Sequence, residues 1–131
     1  MSLWSQLKTR SVDGIEGLIT VVVQDEKDKD VLMLAYANQE AVEKTVKTGL
    51  AHYYSTSRKK LWLKGETSGN TQKVSEVLVD CDGDAVIYRV AQKGGACHEG
   101  YKSCFFRKVD GEGLKIIGQK LFNPDEVYKK K

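Results

Sequence analysis

The chain has 131 residues, 40% of them hydrophobic and 30% charged, with a formal net charge of +3. A chain of this length makes a single domain, 1–131, that buries roughly two thirds of its unfolded surface, so neither disulfides nor a metal is needed merely to fold. The composition excludes global disorder, and the weak, scattered positive charge makes no case for nucleic acid. No apolar run reaches the roughly 20 residues of a membrane helix, and the opening "MSLWSQLKTR" lacks a signal peptide's apolar centre, so a cytoplasmic location with no membrane partner is expected.

In chain order, "GLITVVVQD" (17–25) is short and β-branched and predicts a strand, as does "DVLMLAYA" (30–37). "NQEAVEKTVKTG" (38–49) predicts the one main helix, about 38–48. Asn38 is its N-cap, Glu40 an acid in its first turn, Ala41, Val42 and Val46 its apolar stripe, and Gly49 its C-cap. Strand character returns in "AHYYSTS" (51–57), at the start of "LWLKGETSGN" (61–70), in "QKVSEVLVDCD" (72–82) and in "AVIYRVAQ" (85–92). "SCFFRKV" (103–109) and "LKIIGQ" (114–119) predict two more, joined through "DGEG", and "YKKK" (128–131) a solvated tail. The expected class is α+β and β-rich, a compact domain of mostly antiparallel strands.

Two clusters raise a metal question. Asp80, Asp82 and Asp84 alternate around Cys81 and Gly83. On an extended strand the outer two stand about 13 Å apart, too far for one cation, so binding requires the strand to end and curl at Gly83. An EF-hand loop is excluded, because its sixth position falls on Ala85 instead of glycine and its twelfth on Ala91 instead of glutamate. Three carboxylates suit magnesium; a solvated acidic turn is the alternative.

The three cysteines, Cys81, Cys97 and Cys104, crowd into one stretch, and an odd number cannot all pair. On a helix Cys97 and Cys104 would lie about 10 Å apart, against roughly 3.8 Å for two thiolates on one zinc, so "HEGYKS" must loop back, helped by Gly100. His98 adjoins Cys97, and neighbouring residues rarely reach one ion, so His98 is read as near the metal and not on it. Buried structural thiols are the alternative. In "TSRKKLWLKGETSGN" (56–70), turn amides with Arg58 and Lys64 can hold phosphate, although the spacing is not that of a Walker A loop and a plain basic hairpin explains it too.

Two long motifs in order, "SRKKLWLKGETSGN" (57–70) and "DCDGDAVIYRVAQKGGACHEGYKSCF" (80–105), together with "MLAYANQEA" (33–41), resemble the phosphoribosyl-AMP cyclohydrolase family of histidine biosynthesis. The resemblance covers about 14–110, and D-C-D-x-D followed by C-H-x5-C is its specific part. It implies hydrolysis of the N1–C6 bond of the adenine ring of phosphoribosyl-AMP by a zinc- and magnesium-dependent enzyme. It also implies an intertwined homodimer with Cys81 of one subunit joining Cys97 and Cys104 of the other on zinc, and Asp80, Asp82 and Asp84 holding magnesium. Some relatives carry a second domain; this chain is expected to be monofunctional, and residues 111–131 receive no role.

Zinc lowers the pKa of a bound water, but three thiolates blunt that effect, so a nearby base is expected. His98 suits the part, with Glu66 second. Arg58, Lys64 and the Ser68–Gly69–Asn70 turn are expected on the phosphates and Trp62 near the base; His52 is left unassigned. The alternative function is a structural-zinc nucleic-acid-binding module. A cytidine-type deaminase lacks its H-x-E and P-C-x-x-C here, and a thiol redox or structural protein would show neither metal nor turnover.

Overall fold

The β-branched run that opens the chain supplies the spine of the fold. The computed structural model describes residues 3–127. After a 3-10 turn at Trp4–Gln6, strands β1 (Arg10–Val12), β2 (Ile15–Asp25) and β3 (Val31–Ala37) run antiparallel. Helix α1 (Gln39–Thr48) follows, then the hairpin β4 (His52–Ser55) and β5 (Lys60–Leu63). Strands β6 (Gln72–Val79) and β7 (Ala85–Gln92) pair antiparallel, and β8 (Arg107–Asp110) and β9 (Gly113–Ile116) form a second hairpin before the short helix α2 (Pro124–Val127).

The main sheet has the order β1-β2-β7-β6, with β3 also on β2. Its centre is parallel: β2 and β7 run together from Thr20 beside Ala85 to Asp25 beside Val90. The sheet is therefore mixed, although most of its pairs are antiparallel. Ile19, Val21, Val23, Val86, Tyr88 and Val90 alternate inward and are almost wholly buried. Tyr53 of β4 closes this core, its ring 5.1 Å from Trp62 and 5.8 Å from Tyr88. Burying one such large side chain contributes about 1.5–3 kcal/mol.

Asn38 caps α1 by accepting the Ala41 N–H at 2.9 Å, and Gly49 ends it in the left-handed region at φ 78°. The apolar stripe needs one correction. Val46 is 59% exposed, and Thr45 takes the inward place. The Thr45 hydroxyl donates to the Ala41 carbonyl at 2.8 Å and accepts the His52 N–H at 2.9 Å, which pins α1 to β4.

The strand expected over 72–82 stops at Val79, because the acidic run turns. The strand expected over 103–109 begins only at Arg107. Before it, the Cys104 N–H donates to the Leu32 carbonyl and the Ser103 hydroxyl to that of Val31, each at 2.7 Å. These bonds hold 103–104 against the start of β3 without a continuing ladder. The single proline, Pro124, opens α2, where its missing N–H is no loss. The "YKKK" end, 128–131, lies outside the described residues.

Candidate metal centre and active site

Between β6 and β7 the backbone curls, so that one carboxylate oxygen from each of Asp80, Asp82 and Asp84 lies within 4.8 Å of the others. Gly83 makes the curl at φ 75°, and its carbonyl accepts the Lys8 N–H at 2.7 Å. A Cβ there would sit 3.1 Å from the Gln6 carbonyl, so both conformation and space favour glycine. Burial works to raise the Asp80 carboxyl, but hydrogen bonds from Asp84 and from the Ala85 and Asp84 amides outweigh it, and its pKa is lowered. Asp84 goes the other way, raised by sharing hydrogen bonds with Asp80 and Asp82, while the Arg10 guanidinium at 2.6 Å opposes that rise. The three carboxylates repel one another, Arg10 offsets part of that repulsion, and a bound cation could offset the rest.

The second cluster lies beyond the far end of β7. Cys97 is buried and free, and Cys104 is free and exposed as a residue, its thiol close enough to Cys97 to be influenced by it. Burial first, and then the neighbouring Cys97, push the Cys104 thiol up to about 12. "HEGYKS" does loop back: the Ala96 N–H donates to the Lys102 carbonyl at 2.9 Å and the Cys97 N–H to the Tyr101 carbonyl at 3.1 Å. Gly100, at φ 100°, makes the reversal. Lys102 ties the loop to the β2–β3 turn through Asp28, Asp30 at 3.1 Å and Asp25 at 3.9 Å.

Against this loop packs the 65–70 turn. A Cβ on Gly65 would stand 2.7 Å from the Asn70 carbonyl carbon, and one on Gly94 2.4 Å from Asn70 Oδ1, so the turn and the approach to Cys97 touch through Asn70. The Gly69 N–H donates to the Gly65 carbonyl at 2.8 Å and the Asn70 N–H to the Ser68 hydroxyl at 3.1 Å. Gln92 links turn and core, donating to the Asn70 carbonyl at 3.3 Å and accepting from Gln72, which in turn accepts from the Tyr53 hydroxyl.

The other candidate residues fall into distinct places. His98 is exposed beside buried Cys97, its Nε2 3.7 Å from Glu99. Glu66 accepts the Leu63 N–H at 2.9 Å at the edge of the turn. Arg58 is exposed in the β4–β5 loop, and Trp62 is half-buried on Tyr53. Lys64 is 7% exposed, its Nζ donating to the Ala96 carbonyl at 2.6 Å. Its pKa is lowered by burial, against the pull of Cys104 and Cys97. His52 turns Nδ1 to the Leu50 carbonyl at 2.8 Å. Sequence reasoning gave no part to Arg10, Lys102 or Ser103; the last two lie inside the 80–105 motif, but each meets its partner only through the fold.

Cys81 does not join the thiol pair in the single chain. It precedes β7, whereas Cys97 follows it, and eight strand residues span roughly 25 Å. Carboxylates that could hold a cation before β7, with thiols and a glycine turn beyond it, belong to a small, mostly β domain with a mixed sheet and one main helix. The family profile of phosphoribosyl-AMP cyclohydrolase matches residues 33–106. A phosphoribosyl-AMP cyclohydrolase of Methanospirillum hungatei is 63% identical over 115 residues, 88% of this chain and 86% of its own. That of Methanothermobacter thermautotrophicus is 58% identical over 86% of this chain and 83% of its own, and that of Halobacterium salinarum 58% identical over 88% of each. The chain belongs to the phosphoribosyl-AMP cyclohydrolase family.

Proposed function

We propose that the chain opens the adenine ring of 1-(5-phosphoribosyl)-AMP by hydrolysing its N1–C6 bond, giving the phosphoribosyl-formimino carboxamide ribotide in L-histidine biosynthesis. The observation that carries this reading, beyond family membership, is the unbridged, mutually influencing Cys97 and Cys104, with Asn70 of the 65–70 turn against Gly94 on the approach to Cys97. Two neighbouring unbridged thiols suit a soft cation such as Zn2+, and three converging carboxylates suit Mg2+. Cys81, Cys97 and Cys104 would hold zinc, and Asp80, Asp82 and Asp84 magnesium. Zinc held there would supply a water of lowered pKa, an effect that three thiolates blunt and that a nearby base must complete.

The chain's own residues do the rest. His98, exposed at the thiol loop, takes the proton of the attacking water. The tetrahedral adduct at C6 then collapses with N1 leaving, and Glu66 serves as the second proton carrier. Arg58 and the Ser68–Gly69–Asn70 turn receive the phosphates, and Trp62 packs against the base.

The wide separation of Cys81 from the thiol pair supports a homodimer in which Cys81 of one subunit completes the pair of the other. Exposed Val109, Leu114 and Ile116 on the β8–β9 hairpin offer apolar surface to such a partner. No described helix is long and apolar enough to cross a membrane. A soluble nucleotide substrate suits a cytoplasmic enzyme.

The test is ring opening of phosphoribosyl-AMP, followed by ultraviolet absorbance with and without a zinc chelator. Turnover is expected to cease on chelation and to return with added zinc. A folded, zinc-loaded protein that gives no turnover contradicts the reading and leaves the cysteines a structural role.

A further inference from the structure

Lysine is among the residues least often fully buried, because its charge must be taken out of water. Lys64 is buried all the same. Its main chain is fixed by its own N–H donating to the Ala51 carbonyl at 3.1 Å, and its Nζ ends on the Ala96 carbonyl at 2.6 Å, one residue before Cys97. Among the described residues no carboxylate lies within ion-pair distance of it. The ionisable groups that act on it are the Cys97 and Cys104 thiols.

We propose that Lys64 is a positioning residue of the thiol pair: its ammonium offsets the thiolate charge, and its bond to Ala96 fixes the backbone from which Cys97 projects. The charge count agrees. Three thiolates on a divalent cation leave one net negative charge, and one buried ammonium brings the site to neutrality. Partners behind the ligands of a metal commonly tune its affinity about 10–100-fold. Residues on the "LWLKGETSGN" strand and turn thus divide by burial: the turn is left to the substrate, and Lys64 faces the thiols. The inference rests on the zinc reading above and assigns Lys64 a place other than the phosphate contact that its basic neighbourhood suggests.

The experiment compares the full chain with Lys64→Met, which keeps length and removes the charge. Lys64→Gln, which keeps an N–H donor, is read if the first variant loses its fold by circular dichroism. Zinc affinity is measured by competition with a chromophoric chelator, and kcat and KM for ring opening are measured at saturating zinc. The expected result is zinc affinity about 10–100-fold weaker, with KM within about twofold. Unchanged zinc affinity overturns the inference, and a KM raised about tenfold at retained affinity identifies Lys64 as a phosphate contact instead. A wild-type chain that takes up no zinc overturns the zinc reading and the inference with it, so the two failures are distinguished.

Discussion

His98 stands with its side chain 78% exposed, next to a cysteine that is buried. The chain direction that buries Cys97 sends its neighbour outward, and an exposed position is what the proposed general base needs. His98→Ala is expected to lower kcat by about 10²–10⁴-fold, the usual worth of a positioned general base, while zinc stays bound. Zinc analysis of the purified variant alongside its turnover decides the matter: loss of zinc would make His98 a ligand and put the base elsewhere. At this scale the sequence is informative about residue types. Three aspartates around Gly83, and cysteines seven apart across Gly100, announce chain reversals, and both curls are present. What stands 74 positions away is invisible in spacing, and so Arg10 on Asp84 and Lys102 on Asp28 emerge only from the fold.

The turn between β5 and β6 is the element on which the candidate substrate site depends. Gly65, at φ 89°, lets the backbone of Asn70 and Thr71 approach to 2.7 Å of where a Cβ would be. Gly65→Ala meets backbone on that side and strain in its own dihedral, so it is expected to cost about 1–3 kcal/mol and to raise KM. Chemical denaturation and steady-state kinetics check both effects; an unchanged midpoint and KM would show that the turn neither stabilises the fold nor meets substrate. Strand periodicity and the capping residues of α1 were legible because they are local. The ends of β6 and β8 were not, since hydrogen bonds to distant segments set them: Ser103 and Cys104 read as strand but are held singly against β3. Thr45 displaced Val46 from the inner face for a similar reason, its hydroxyl having a partner on β4 that periodicity does not see.

For the whole molecule, the parallel pairing of β2 with β7 sets β7 inside the sheet. The strand β7 in turn separates the acidic turn and Cys81 before it from Cys97 and Cys104 beyond it. Nothing local in either strand announces that pairing, whereas the separation of the two clusters is legible, because the predicted strand 85–92 lies between them. If two chains together build each zinc site, as proposed above, subunit complementation reveals it. Cys81→Ser and Cys97→Ser proteins, each inactive alone, are mixed under conditions shown to exchange subunits. In a twofold dimer half the population becomes mixed, and each mixed dimer regains one of its two sites, so about one quarter of wild-type turnover should return. Full exchange with no recovered activity would contradict a site shared between subunits.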